Sequence, residues 1–272
     1  MIRIAPRTAV PGDPIRFFVG DQHLSSKTQI LVGPDDDRAH PNGFLVEQQP
    51  RQRLDVHFHG YAQFQLVVAG EGSMGPHALQ PVTVHYAGQR TPYGPILPGD
   101  AGLSYLTLRP HYEAGAFFMP ASRDLRDPAI PRREEFGASA TAAQPAGAGS
   151  IAVAVPACET LIAPGADGLA AWVLRLPAGA RMRAPEAAPG DGRYHVVTGG
   201  SWLCEGKALD WLGMAWSDGD DAPLEIAAGP RGCELVVMQF PRGACAHPLP
   251  AGNAVFSLPA GSRAESTAAR AS

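Results

Sequence analysis

Residues 54–72 read LDVHFHGYAQFQLVVAGEG, and this stretch decides the fold. At a period of two it puts His57 and His59 on one face of a strand, because alternate side chains of an extended chain point the same way. Gly60 and Tyr61 then turn the chain into a second apolar run, Gln63-Phe64-Gln65-Leu66-Val67-Val68, which stops at Gly70-Glu71-Gly72. Two imidazoles thus face a pair of glutamines across a hairpin. Imidazole is the commonest protein ligand for first-row transition metals, and two at i, i+2 on a strand can share one ion.

Outward from the hairpin the pattern stays short-stranded. Residues 15–19, 28–32, 82–86 and 103–109 are apolar or β-branched runs, separated by Gly- and Pro-containing turns such as QRTPYG at 89–94. With hardly any helical periodicity, such spacing predicts an antiparallel sandwich or barrel. The PDDDRAHPN segment at 34–42 lacks the glycine and later glutamate of a calcium loop and reads as a solvated turn.

The hairpin resembles the first motif of the cupin superfamily, which runs glycine, five residues, His-x-His, three or four residues, Glu, six residues, Gly. Here the chain has His57-x-His59, three residues, Gln63, six residues and Gly70. Glutamine stands where the family has glutamate, and the opening glycine is missing. The resemblance implies an all-β fold of double-stranded β-helix or jelly-roll barrels. It also implies that His57 and His59 are the first two metal ligands and Gln63 the third, with Gln65, of the same parity, competing for that place.

The family's second motif, built on Pro-x-Gly, matches through Pro92-Tyr93-Gly94, but its histidine slot falls on Leu97. An alignment in which the ligand precedes a Gly-Pro pair puts Tyr93 there instead. His85 is the other nearby imidazole; His77 and His111 sit in expected loops. The implied cofactor is a divalent transition metal, with iron, manganese, nickel and zinc all suited to N and O ligands. A neutral Gln63 would leave that ion less neutralised, a stronger Lewis acid and more weakly held. Phe64, Leu66, Gln65 and Tyr105 are the expected pocket residues around it.

The organisation repeats. Residues 194–201 resemble 65–72, and placing Gly199 on Gly70 gives an offset of 129, which points to two cupin domains in one chain. At that offset the ligand positions fall on Glu186, Ala188 and Gly192, so the second copy is degenerate. His195, alone on an apolar strand there, reads as a satisfied core or interface residue. The expected boundaries are an amino-terminal domain over 1–120, a linker over 121–150, a degenerate domain over 151–258 and a disordered tail over 259–272.

Composition narrows the partners. A net charge of -4 and no dense basic cluster argue against nucleic acid or an anionic membrane. No apolar run has membrane-spanning length. The expected partner is a small molecule, with a homodimer formed through sheet edges. Four widely spaced cysteines without a C-x-x-C pair and an amino end unlike a secretory signal fit a cytoplasmic chain, with the thiols in the core.

The resemblance therefore implies a metal-binding bicupin, dioxygenase-like in its enzyme form. A metal-assisted isomerase or hydrolase, or a non-catalytic small-molecule-binding cupin, are the alternatives.

Overall fold

The computed structural model describes residues 2–8, 10, 12–33, 39–113, 115–141, 149–247, 249 and 262–265. The strands, in chain order, begin with β1 (Arg3–Ala5), β2 (Ile15–Val19), β3 (Gln22–Leu31), β4 (Asn42–Gln48), β5 (His57–Phe58), β6 (Gln63–Met74) and β7 (His77–Leu79). They continue with β8 (Thr83–Ala87), β9 (Ile96–Arg109), β10 (Phe117–Phe118), β11 (Glu134–Ala138), β12 (Ala157–Ile162) and β13 (Ala170–Leu176). The last are β14 (Arg181–Arg183), β15 (Gly192–Cys204), β16 (Lys207–Leu209), β17 (Met214–Asp218), β18 (Glu225–Phe240) and β19 (Ser262–Glu265). Among the described residues no helix is long and apolar enough to cross a membrane.

Two large sheets carry the fold. One has the order β11-β8-β6-β9-β4-β3-β2-β19, with β7 beside β6; the other runs β1-β17-β15-β18-β13-β12, with β14 on β18 and β16 on β15. Among the described residues these strands pair antiparallel, as β13 does with β18, β15 with β18, β4 with β9 and β6 with β9. In the first, β6 and β9 set Phe64 opposite Leu108 and Leu66 opposite Leu106, and bulges follow between Val67 and Ala69 and between Gly70 and Gly72. Such bulges bend the pair and raise its twist, which curls a flat sheet toward a barrel.

The second copy repeats this at an offset of 130, one residue more than the sequence match suggests. Tyr194 opposes Met238 and Val196 opposes Val236, with bulges at Val197/Gly199 and Gly200/Trp202. Gly70 and Gly200 have φ of +74° and +65°, and a Cβ on either would lie 2.2 Å from the carbonyl oxygen of Gly102 or Gly232. The glycines that align are those the bulge requires, whereas the match at 129 followed neighbouring side-chain similarity.

The chain divides into two compact units, residues 10–81, 85–135 and 245–272 in one, and 1–9, 82–84 and 136–244 in the other. Three segments depart from the expected boundaries. β1 pairs β17 in the carboxy-terminal barrel, β11 within 121–150 adds to β8, and β19 within 259–272 pairs β2. Short polar segments gain backbone hydrogen bonds at a sheet edge, which their composition does not reveal. The stretches 34–38, 142–148, 251–261 and 266–272, parts of the expected turn, linker, end of the second domain and tail, lie outside the described residues.

The interior of the carboxy-terminal barrel is filled by Trp172, Leu174, Val197, Trp202, Leu235 and Val237. His195 there is 0% exposed, a core residue as expected, with its ring centroid 5.7 Å from that of Trp202. Cys204 and Cys233 are buried, Cys245 is half-buried and Cys158 is exposed, and none of the four is in a disulfide.

Candidate functional site

The amino-terminal barrel encloses a cavity of about 190 Å³, reached by side chains of β2, β3, β4, β6 and β9 and by the HxH segment. For scale, an engineered apolar cavity of about 150 Å³ admits benzene. Backbone pairing builds its inner end. The His57 amide donates to the Tyr93 carbonyl (3.2 Å) and the Tyr93 amide to the His57 carbonyl (3.0 Å), which lays the QRTPYG turn beside the histidines. The phenol of Tyr93 thereby lies among three imidazoles, with ring centroids 4.5 Å from His57, 6.3 Å from His59 and 5.0 Å from His85.

His57 donates from Nδ1 to the Asp55 carbonyl at 2.8 Å, which leaves a lone pair on Nε2. Burial holds its pKa at about 3, helped by His59, so the ring is neutral. His59 is depressed still more firmly, by burial and then by Arg109. The two rings are perpendicular, 5.3 Å apart.

Arg109 dominates the space the metal was expected to fill. Its Nε donates to Gln63 Oε1 at 3.0 Å, its Nη1 to the Glu113 carbonyl at 3.1 Å, and its Nη2 lies 3.0 and 3.2 Å from the two ring nitrogens of His59. A guanidinium has donors only, so it turns the Gln63 amide oxygen toward itself and leaves the amide nitrogen to donate to Tyr93 Oη, at 2.6 Å. Burial raises the Tyr93 phenol well above its ordinary range, so it stays protonated.

Glu113 completes the cluster. Its Oε1 accepts from the Gly60 amide at 2.7 Å, while Oε2 lies 3.2 Å from His59 Nδ1 and 4.0 Å from Arg109 Nη1 without a hydrogen-bond partner. Gly60 permits this approach, since a Cβ there would stand 2.5 Å from Oε1. Burial pushes the carboxyl up and Arg109 pulls it back down.

These contacts decide the fit to a metal. Two of the three expected donors, Gln63 Oε1 and the His59 ring, already serve a fixed cation. Two unit charges at about 4 Å repel by about 4 kcal/mol at an effective dielectric of 20, and a divalent ion doubles this. His85 lies elsewhere: its Nδ1 is 2.7 Å from Gln65 Oε1 and its Nε2 3.1 Å from Glu134 Oε1, so both nitrogens are engaged. Among the described residues no group of three or more His, Cys, Asp or Glu side chains is arranged to hold a metal ion. The expected set of His57, His59, Gln63, Tyr93 and His85 therefore does not fit a transition metal: His59 and Gln63 hold the Arg109 guanidinium, and His57 and His85 flank the protonated Tyr93 phenol.

Of the expected pocket residues, Gln65 and Tyr105 line the cavity. Phe64 does not: it is fully buried and packs on Tyr86 with ring centroids 5.1 Å apart, and Leu66 is also 0% exposed. Both have the opposite parity to Gln65 on β6, so they point into the core behind the strand. His77 is exposed, and His111 stacks edge-on with Tyr61.

Arg109, Lys27 and Glu113 escaped the sequence reading. A signal existed for Arg109, since Tyr105, Thr107 and Arg109 alternate on β9 and a charge at an inward position is unusual. Lys27, on β3, enters the cavity with its Nζ 3.9 Å from the centroid of Phe44, and the Arg109 guanidinium carbon is 5.5 Å from the same ring. Burial, then Arg109, lowers Lys27 to about 8.

The second barrel carries the same pair with its members exchanged. At an offset of 130, Gln63 and Arg109 correspond to Arg193 and Gln239, which oppose each other across β15 and β18, and Arg193 Nε donates to Gln239 Oε1.

No protein-family model matches the sequence, and no curated protein does. Solved structures do. A bacterial pirin, YhhW, from Escherichia coli in complex with nickel(II) matches with TM-score 0.54 and 12% identity over 89% of this chain and all of that one. A variant of oxalate decarboxylase from Bacillus subtilis matches with TM-score 0.52 and 9% identity over 86% and 78%. The coconut allergen cocosin matches with TM-score 0.53 and 12% identity over 89% and 85%. The chain thus has the two-barrel fold of the cupins. Relatives in shape that include a decarboxylase, a nickel complex and an allergen leave function to the site itself.

Proposed function

We propose that this chain is a small-molecule-binding cupin whose amino-terminal cavity takes a compact organic carboxylate without a resident transition metal. The observation that carries this reading is Arg109, a buried guanidinium bonded to Gln63 and His59 where a bicupin of the expected kind would hold its ion. A fixed cation recognises a carboxylate without any metal.

The rest of the lining supports this class of ligand. Lys27 and Arg109 supply two positive groups against the single carboxyl of Glu113, so the site favours a net negative guest. Phe17, Phe44, Val46, Leu54 and Phe118 form apolar walls suited to a short hydrocarbon chain or ring. His57 Nε2 offers an acceptor for a hydroxyl or amide of the guest. A dioxygenase, isomerase or hydrolase of the metal-dependent kind would need an ion that these side chains oppose.

Two measurements test the proposal. Protein purified without an affinity tag should hold transition metal at well under one equivalent by elemental analysis. Titration with pentanoate or benzoate should raise the melting temperature, and a Lys27→Met variant should bind about tenfold more weakly, the loss of one charged contact. Stoichiometric metal that disappears in a His57→Ala, His59→Ala double variant would overturn the reading.

A further inference from the structure

Lys27 is placed differently from an ordinary anion anchor. It is half-buried on β3, its amine sits against the face of Phe44, and among the described residues no carboxylate pairs with it. The neighbouring cation, Arg109, contacts the same ring and opposes a second positive charge there. Around it stand the hydroxyls of Ser25, Ser26 and Thr107, all lining the cavity. An amine held in an apolar cavity beside another cation is the arrangement that turns a lysine into a nucleophile.

We propose that Lys27 condenses reversibly with an aldehyde or ketone group of the guest, so that the natural ligand is an oxo acid whose carbonyl forms an imine with the Lys27 amine. This rests on the carboxylate-binding reading above and narrows its ligand class. In the step, the Nζ lone pair attacks the carbonyl carbon, a C–N bond forms, and the carbonyl π pair moves to oxygen. The oxygen gains the proton that nitrogen first loses, a further proton lets it depart as water to leave C=NH+, and nitrogen then returns that proton to the acid that supplied it, leaving C=N. The sum is amine plus carbonyl giving imine plus water, with no oxidant or reductant. Glu113, whose carboxyl lines the same cavity, is placed to carry the proton that assists the loss of water.

The state of the amine agrees with the geometry. With Lys27 at about 8, roughly a quarter of it is unprotonated at pH 7.5, against on the order of 0.1% for an ordinary lysine.

The chain contains only two lysines, Lys27 and Lys207, and the latter is exposed on β16, which gives an internal reference. The whole protein is treated at pH 7.5 with cyanoborohydride and one of three probes: 4-oxopentanoate, butanal or pentanoate. Adducts are then mapped by peptide mass spectrometry, which also separates the amino terminus. Labelling of Lys27 by 4-oxopentanoate should run at least tenfold faster than that of Lys207, and should vanish from the site in Lys27→Arg while Lys207 is unaffected. Pentanoate should give no adduct but should protect Lys27 by competition.

If neither carbonyl probe labels Lys27 faster than Lys207, imine formation is refuted; thermal stabilisation by pentanoate in that same sample would leave the carboxylate site standing. If butanal labels Lys27 selectively while pentanoate neither binds nor protects, the reactive amine is upheld and the carboxylate reading falls.

Discussion

Gln63 and Arg109 meet across β6 and β9 with Nε donating to Oε1 at 3.0 Å, although 46 residues separate them in the chain. The contact explains why a glutamine occupies the carboxylate position of the motif. A glutamate there would form a tight ion pair with Arg109 and would have no N–H for the Tyr93 phenol oxygen, whereas the amide serves both neighbours. In the second barrel Arg193 and Gln239 make the same bond with the two residue types exchanged.

That exchange predicts a rescue. Gln63→Arg alone places two guanidinium groups together, and Arg109→Gln alone strips His59 and Glu113 of their cation, so each should cost about 2–4 kcal/mol of stability. The double variant Gln63→Arg, Arg109→Gln restores the order found in the other barrel and should recover at least about 1 kcal/mol. Urea unfolding of the four proteins measures the coupling, and simple additivity would show that the two side chains act independently.

Removing the guanidinium should make room for an ion. In a Gln63→Glu, Arg109→Ala variant, His57, His59 and the new carboxylate can converge, and the repulsion of about 8 kcal/mol expected for a divalent ion at 4 Å is gone. Nickel or manganese uptake should approach one equivalent by elemental analysis after dialysis, with the parent protein far below it. Equal metal content in both would mean that Arg109 is not what keeps the ion out.

Acid should weaken the fold through its buried histidines. Burial and Arg193 hold His195 at about 3 in the folded chain, against about 6.5 for an exposed imidazole. Between those values the unfolded chain binds the additional proton, so stability falls as pH drops from 6.5 toward 3, by up to about 1.4 kcal/mol per pH unit for this one residue. His57, also at about 3, adds to the slope in the same direction. A His195→Leu variant should flatten the dependence between pH 6 and about 4, because the group whose proton uptake drives it is gone. Thermal melts over that range would contradict the account if the variant kept the parent's slope.

The bulge glycines offer a test of the duplicated design. Gly70→Ala and Gly200→Ala each drive a Cβ to 2.2 Å from a backbone oxygen at positive φ, so both should lose more than about 2 kcal/mol. Gly206→Ala, also at positive φ but with open space around its Cβ, should cost only about 1 kcal/mol. Comparable losses at all three positions would locate the cost in φ alone and not in the close backbone approach.

The sequence by itself determined the β-strand character and the repetition of the barrel, because both are written in local periodicity and in glycines that a bulge demands; the expected HxH hairpin did not form, since β5 pairs β10 and not β6. It also placed Tyr93 beside the histidines through the Pro-Tyr-Gly turn. It did not reveal that the site holds a cation of its own. Lys27, Arg109 and Glu113 reach the cavity from β3, from the end of β9 and from the loop beyond it, and only the lateral order β3-β4-β9 of the sheet brings positions so far apart in the chain together. Nor did spacing distinguish a glutamine that binds an ion from one that faces a guanidinium, since both need the same inward parity. Only the pairing of β6 with β9, which sets Gln63 opposite Arg109, decided that charge and hydrogen bonding at this position are satisfied from within the chain.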